Sequence, residues 1–238
     1  MNKILTITKK ELNSHFNSPL GYIVVSVFLL MSGWIFMQSF FIVGQASTRE
    51  LFNFLPIIFM FILPAITMFS WAEEKRSGTV EVLMTFPVKT IEVVLAKFLS
   101  SFIFLLTMLL LTIAIPIMIT EIGNPDRGII IAGYIGALLL GSSYIAIGLW
   151  ISSITKNQII SFVLTVTIIF IFYIIGNSLI LDQLPNSVAL VSKFLSFSTH
   201  FNSILRGVIS LADIVYYLSI VVFFLFLNAR VVGMRKWK

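Results

Sequence analysis

Six long apolar runs, at residues 20–43, 51–70, 93–119, 129–154, 158–181 and 212–230, constrain this chain more than any other feature. A hydrocarbon core takes about 20 consecutive apolar residues as a helix, and each run supplies that length or nearly so. The runs are continuous, whereas a membrane β-barrel reads as short alternating segments. Composition agrees: 58% of the 238 residues are hydrophobic and only 11% are charged. A soluble domain carries roughly 25% charged residues, so an ordinary water-soluble enzyme is excluded. The first run begins too far into the chain, and is too long, for a cleaved signal core. No small-residue cleavage pattern follows it closely, so it is read as a retained span.

The distribution of Lys and Arg orients the spans. Assigning the N-terminus, the 71–92 loop, the 155–157 loop and the C-terminus to the cytoplasm puts Lys3, Lys9, Lys10, Lys75, Arg76, Lys89, Lys97, Lys156, Arg230, Arg235, Lys236 and Lys238 inside. Only Arg49, Arg127, Lys193 and Arg206 fall outside. Two cytoplasmic termini require an even number of spans, in agreement with six.

Three stretches are not spans. Residues 1–18 set Ile4, Ile7, Leu12 and Phe16 near one helical face, away from Lys3, Lys9, Lys10 and Glu11. That pattern predicts an amphipathic helix on the inner surface. Residues 186–211 are apolar but cut by Lys193, His200 and Arg206, which predicts two short re-entrant helices, with Gly207 near a bend. Such backbone is tolerated only where protein or water covers it. The 71–88 loop predicts a short cytoplasmic helix. Gly78 permits a bend, Thr79 caps, Glu81 sits where the helix dipole favours negative charge, Leu83 belongs to an apolar face and Pro87 ends the helix. A solvated loop with ordinary caps is the plainer reading of the same residues.

Several chemistries drop out. There is no Cys, and the two histidines, His15 and His200, are far apart. No residue is assigned a catalytic or metal-binding role, and no nucleic-acid partner is expected. Gly123 and Gly128 have P-loop spacing, but Ile129-Ile130 stand where Lys-Ser/Thr belongs. Glu73-Glu74 and Arg76 are too close for an intramembrane protease motif. Glu121, Asp126, Asp182 and Asp213 all fall at span ends, which argues against a proton-driven carrier. Lys97, inside the third span, either snorkels to headgroups or pairs with Glu73 or Glu74. Gly133, Ala137 and Gly141 recur on one face of the fourth span and allow close approach, within the chain or across a dimer. His200 is a polar interface residue or part of a gate, and Arg206 and Asp213 are placed to pair across 207–212.

The run Glu73-Glu74-x-x-x-Gly78-Thr79-x-Glu81-x-Leu83-x-x-x-Pro87, followed by Lys97, resembles the signature loop of type-2 ABC exporter (ABC-2) permeases. The tail, Thr199-His200-Phe201-x-Ser203-x-x-Arg206-Gly207-Val208-Ile209 with Asp213, Val215, Tyr216, Tyr217, Leu218 and Ser219, is similar to permeases of the gliding-motility and nitrous-oxide-reductase-maturation branch. So is the start, Lys9-Lys10-Glu11-Leu12 with Phe16, Ser18 and Pro19.

The resemblance implies an all-α bacterial inner-membrane permease with six spans and both termini cytoplasmic. Residues 1–18 would be its elbow helix. Glu73, Glu74, Gly78, Thr79, Glu81, Leu83 and Pro87 would form a coupling helix docked on a separate cytoplasmic ABC ATPase, which binds the ATP and Mg²⁺. His200, Phe201, Arg206, Gly207 and Asp213 would belong to an outer gate. The partners implied are that ATPase, the bilayer, and a second permease copy or a related membrane subunit with an outer-face domain. The alternative is a scaffold that couples an ATPase to force or envelope assembly and carries no solute.

Overall fold

The computed structural model describes residues 3–43, 48–79, 88–123 and 125–234, and these form helices with no strand among them. They are α1 (Lys3–Asn17), α2 (Pro19–Val43), α3 (Arg49–Arg76), α4 (Thr90–Leu111), α5 (Ala114–Ile122), α6 (Arg127–Ile154), α7 (Gln158–Ile174), α8 (Ser178–Leu181), α9 (Asn186–Leu195), α10 (Phe197–Ile204) and α11 (Leu211–Met234). Five segments are long and apolar enough to cross a membrane: Pro19–Gln38, Arg49–Arg76, Thr90–Glu121, Arg127–Ile154 and Leu211–Met234. α7 is apolar but has only 17 residues.

Polar side chains set many of the boundaries. Asp126 Oδ1 accepts from the Gly128 N–H and opens α6. Asn157 Oδ1 accepts from Ile159 and Ile160 and opens α7. Lys89 N donates to Glu92 Oε2 at 2.8 Å at the start of α4. Such caps satisfy orphan donors of a first helical turn.

The 93–119 run is not one smooth helix. Pro116 has no N–H to give the Thr112 carbonyl, and the ladder breaks one turn earlier, at Thr112–Ile113. The Ile115 N–H takes that carbonyl instead, at 3.0 Å. The 158–181 run is likewise divided. α7 stops at Ile174, and Asn177 caps the short α8 through the Leu179 N–H. A Cβ on Gly176 would sit 2.0 Å from Ser196 Oγ, so the chain there passes tightly under the start of α10.

α3 and α6 form the centre and run parallel. Phe52, Leu63 and Thr67 of α3 meet Gly133, Gly141 and Gly148 of α6 in that order. α11 runs alongside α6 in the same sense. Ser143 Oγ donates to the Tyr217 carbonyl, and Trp150 packs on Phe224 with ring centroids 5.2 Å apart. Met234 therefore falls at the same end of the bundle as α1.

α1 keeps an exposed face and packs its other face on α4. Thr8 Oγ1 reaches the Ala96 carbonyl, and the Phe16 ring lies 5.1 Å from that of Phe104, so α1 runs along the first half of α4. Its apolar residues Ile7, Leu12 and Phe16 pack on the protein core. Burying those residues against protein satisfies the amphipathic pattern as well as lipid would.

Candidate functional site

At the α1 end, the last turn of α3 is wired to three other helices directly and to α1 through Lys97. Glu73 Oε2 accepts a hydrogen bond from Gln158 Nε2, at the start of α7. Glu74 Oε1 lies 2.7 Å from Lys97 Nζ of α4. Lys75 Nζ donates to the carbonyls of Ser152, Ser153 and Thr155, at the end of α6. A cation on the last carbonyls of a helix meets the negative end of its dipole.

Lys97 is the hub. Its side chain is 1% exposed, and its ammonium has three donors. They meet Glu74 Oε1 at 2.7 Å, the Ser70 carbonyl at 2.8 Å and Glu11 Oε2 of α1 at 3.3 Å. The same nitrogen stands 4.9 Å from the Trp71 ring centroid, a cation–π contact. Each donor is used, and this is the condition under which a buried charge is tolerated.

Ser152 fastens the same turn from the other side. Its Oγ accepts from the N–H groups of Trp71 and Ala72 and donates to the Met68 carbonyl, all at 3.1 Å. Nearby, the His15 ring lies 5.6 Å from that of Phe104, tilted by 39°, and burial holds its imidazole below the usual histidine range, with Glu11 pulling the other way and Lys97 adding to the fall. A cavity of about 580 Å³ opens between α1 and α3, lined by Glu11, His15, Leu20, Phe69, Glu73 and Glu74 among others.

Ser77, Gly78 and Thr79, after Arg76, are exposed. Gly78 has φ +73, in the left-handed region, with open space around its Cβ position, so backbone conformation alone calls for glycine. Ser77 Oγ donates to the Glu73 carbonyl and Thr79 Oγ1 to that of Glu74. Thr79 thus turns back onto α3. Glu81, Leu83 and Pro87 lie outside the described residues.

At the opposite end, His200 and Asp213 meet. His200 Nδ1 is 2.6 Å from Asp213 Oδ1, and Nε2 is 3.0 Å from the Phe194 carbonyl. Asp213 does not pair with Arg206, which is exposed after the end of α10. Phe201 is buried against Gly136 of α6. Gly207 has φ +86 and makes the bend before α11.

The small residues of α6 serve packing inside the chain. A Cβ on Gly133 would strike the Phe52 ring at 2.6 Å, and one on Gly141 would come within 2.5 Å of Leu105. Ala137 is fully buried. Gly148, on the same stripe two turns further, was not picked out by the spacing; its Cβ would fall 2.1 Å from Thr67 Oγ1. In the sequence, Glu11, Lys75, Ser152 and Gln158 likewise had no place in this hub. Glu11 and Lys97 are 86 positions apart, and nothing local links them.

The structure defines an all-helical, multi-pass membrane protein in which one inter-helix connection leaves from a braced polar hub. The model of the ABC-2 family transporter proteins matches residues 4–230, and the chain belongs to that family. No curated protein matches the chain.

Proposed function

We propose that the chain is the membrane-spanning permease subunit of an ATP-driven exporter, coupled to a separate cytoplasmic ATPase that binds ATP and Mg²⁺, and that it serves gliding motility. The observation that carries the proposal is the wiring of Glu73, Glu74 and Lys75. The connection after α3 emerges from a turn tied to α4, α6 and α7, and through Lys97 of α4 to α1. A push on that connection moves the helices as a group, which is what coupling demands. The gliding-motility assignment rests on the similarity of the start and the tail.

Six spans are proposed, with α7 as the fifth. At 17 residues it is about 26 Å long, against a hydrocarbon thickness of about 30 Å. It nevertheless reaches from Glu73 at one end to the Ser196 hydroxyl, which donates to the Tyr173 carbonyl, at the other. The excess of Lys and Arg supports a cytoplasmic α1 end, and the family resemblance supports a bacterial inner membrane. Both Lys3 and Met234 then lie inside. α9 and α10, with His200, Phe201, Arg206, Gly207 and Asp213, form the outer, re-entrant gate. The partner across the membrane is a second permease copy or a related subunit with an outer-face domain.

The test is co-purification from native membranes. Leu83→Asp or Pro87→Ala in the full chain should lose the ATPase while the chain keeps its helical content and elution volume. Unchanged ATPase recovery and ATP turnover with both variants would refute the assignment.

A further inference from the structure

α2 and α3 run antiparallel, and a cleft follows their seam. Phe28 and Phe59, both fully buried, stack with ring centroids 5.9 Å apart and hold the two helices together. Beside this stack lies a cleft of about 340 Å³, lined by Val24, Val27 and Met31 of α2, Ile58 and Phe61 of α3 and Phe162 of α7. Every described side chain on it is apolar.

Toward the α1 end this cleft leads to the cavity of about 580 Å³ beside the hub. Leu20, Ile66 and Phe69 line that cavity, and Val24, Ile62 and Ala65 line the cleft, each one helical turn away on the same face. Laid end to end, the two volumes are polar at the end of the bundle and apolar within it. The rise from Leu20 to Met31 is about 16 Å at 1.5 Å per residue, against about 15 Å for half of a bilayer's hydrocarbon core. A polar head followed by a chain one leaflet deep is the shape of a membrane lipid.

The head end selects among lipids. Glu11, Glu73 and Glu74 line the cavity together with Lys10. Glu11 and Glu74 each reach Lys97 through one oxygen, and Glu73 reaches Gln158 through one. A carboxylate has about four acceptor sites, so the wall offers more acceptors than its neighbours use. Counted formally, three carboxylates stand against Lys10 and Lys97, which leaves one negative charge over. An ammonium brings three donors and the complementary charge, whereas an anionic headgroup meets like charge. Lys10 and Ser14, both exposed on α1, are the donors at hand for a phosphate on the solvent side.

We propose that this corner binds one phospholipid with an amine headgroup, of the phosphatidylethanolamine kind. Its ammonium sits against Glu11, Glu73 and Glu74, and one acyl chain lies in the cleft between α2 and α3. The bound lipid touches α1, α2, α3 and α7, and its head shares Glu11 and Glu74 with Lys97.

The test is native mass spectrometry of the full chain, stripped of lipid in detergent and titrated with phosphatidylethanolamine or phosphatidylglycerol of identical acyl chains. Phosphatidylethanolamine should add once per chain before any further lipid, with a preference of about tenfold over phosphatidylglycerol, the strength of a single charge-assisted hydrogen bond. Glu73→Lys should abolish or invert that preference. Ala65→Phe, which fills the junction of cavity and cleft, should remove the first adduct of either lipid. Val27→Trp, at an exposed position on the cleft, should do the same without disturbing the core. Leu218→Trp, exposed on α11, should leave the adduct intact. The proposal is overturned by the lack of a one-to-one phosphatidylethanolamine adduct, by equal binding of the two lipids, or by an adduct that survives both Ala65→Phe and Val27→Trp. It is overturned equally if those two variants leave the lipid count unchanged and convert a dimer to a monomer, because the cleft then belongs to a second copy of the chain.

Discussion

Lys97 Nζ lies 2.7 Å from Glu74 Oε1 and 3.3 Å from Glu11 Oε2, so one buried ammonium joins α4 to α3 and to α1. Two carboxylates share one cation, and neither could stay close to the other without it.

Lys97→Met keeps the stem volume but leaves Glu11 and Glu74 facing each other. Removing one partner of a buried pair costs about 3–5 kcal/mol, and the lower end applies because the carboxylates are 16% and 21% exposed. Thermal unfolding in detergent should show a clear fall in Tm. The double change Lys97→Met with Glu74→Gln should recover part of it, since the like-charge contact is gone. No recovery would mean that Lys97 acts through packing alone.

His15 gives a pH dependence at the same end. Burial lowers its folded value beneath the ordinary one. The unfolded chain then binds the proton first, so stability is fully present above about pH 6.5 and falls as pH drops from there through the folded value. Hydrogen exchange of α1 amides should accelerate on acidification in that window, and His15→Phe should flatten the response. Faster exchange on raising the pH, after correction for intrinsic rates, would contradict this sign.

Much of this architecture is legible in the sequence because the membrane demands long apolar helices, and the runs mark where α2, α3, α4, α6 and α11 lie. Pro116 was a readable signal for the break at Thr112–Ile113. The end of α7 at Ile174 had a local signal in Gly176-Asn177-Ser178, with Asn177 capping the next short helix. The close approach of Gly176 to Ser196 was not legible there. At the hub, the local motif held Glu73 and Glu74, and Lys97 had Glu74 among its candidate partners. Glu11 came from a helix 86 positions away, chosen by how α1 docks on α4. Asp213 pairs with His200 rather than Arg206, a choice that spacing along the chain did not distinguish.

Gly148→Val should wedge α3 from α6. Its first carbon would meet Thr67 Oγ1 at 2.1 Å and Thr67 Cβ at 2.9 Å. Overpacking of this kind costs about 1–3 kcal/mol. The paired change Gly148→Ala with Thr67→Ala should be tolerated better than Gly148→Ala alone. Equal Tm values for the single and double variants would remove Thr67 as the obstacle.

Topology is open to direct labelling, because every introduced cysteine is unique in the chain. An impermeant thiol reagent outside intact cells should label Asn124→Cys and Asp182→Cys and spare Arg76→Cys and Lys156→Cys. The reverse pattern would invert the bundle.

The coupling claim is tested most directly by photo-crosslinking in native membranes. A benzophenone amino acid replacing Leu83, in the connection after α3, should capture one soluble protein whose peptides contain a nucleotide-binding ATPase motif. The same probe at Val163, an exposed position in the middle of α7, should not capture it. An ATPase adduct at Leu83 alone is the expected result. No ATPase adduct at Leu83, or an equal one at Val163, would contradict the account.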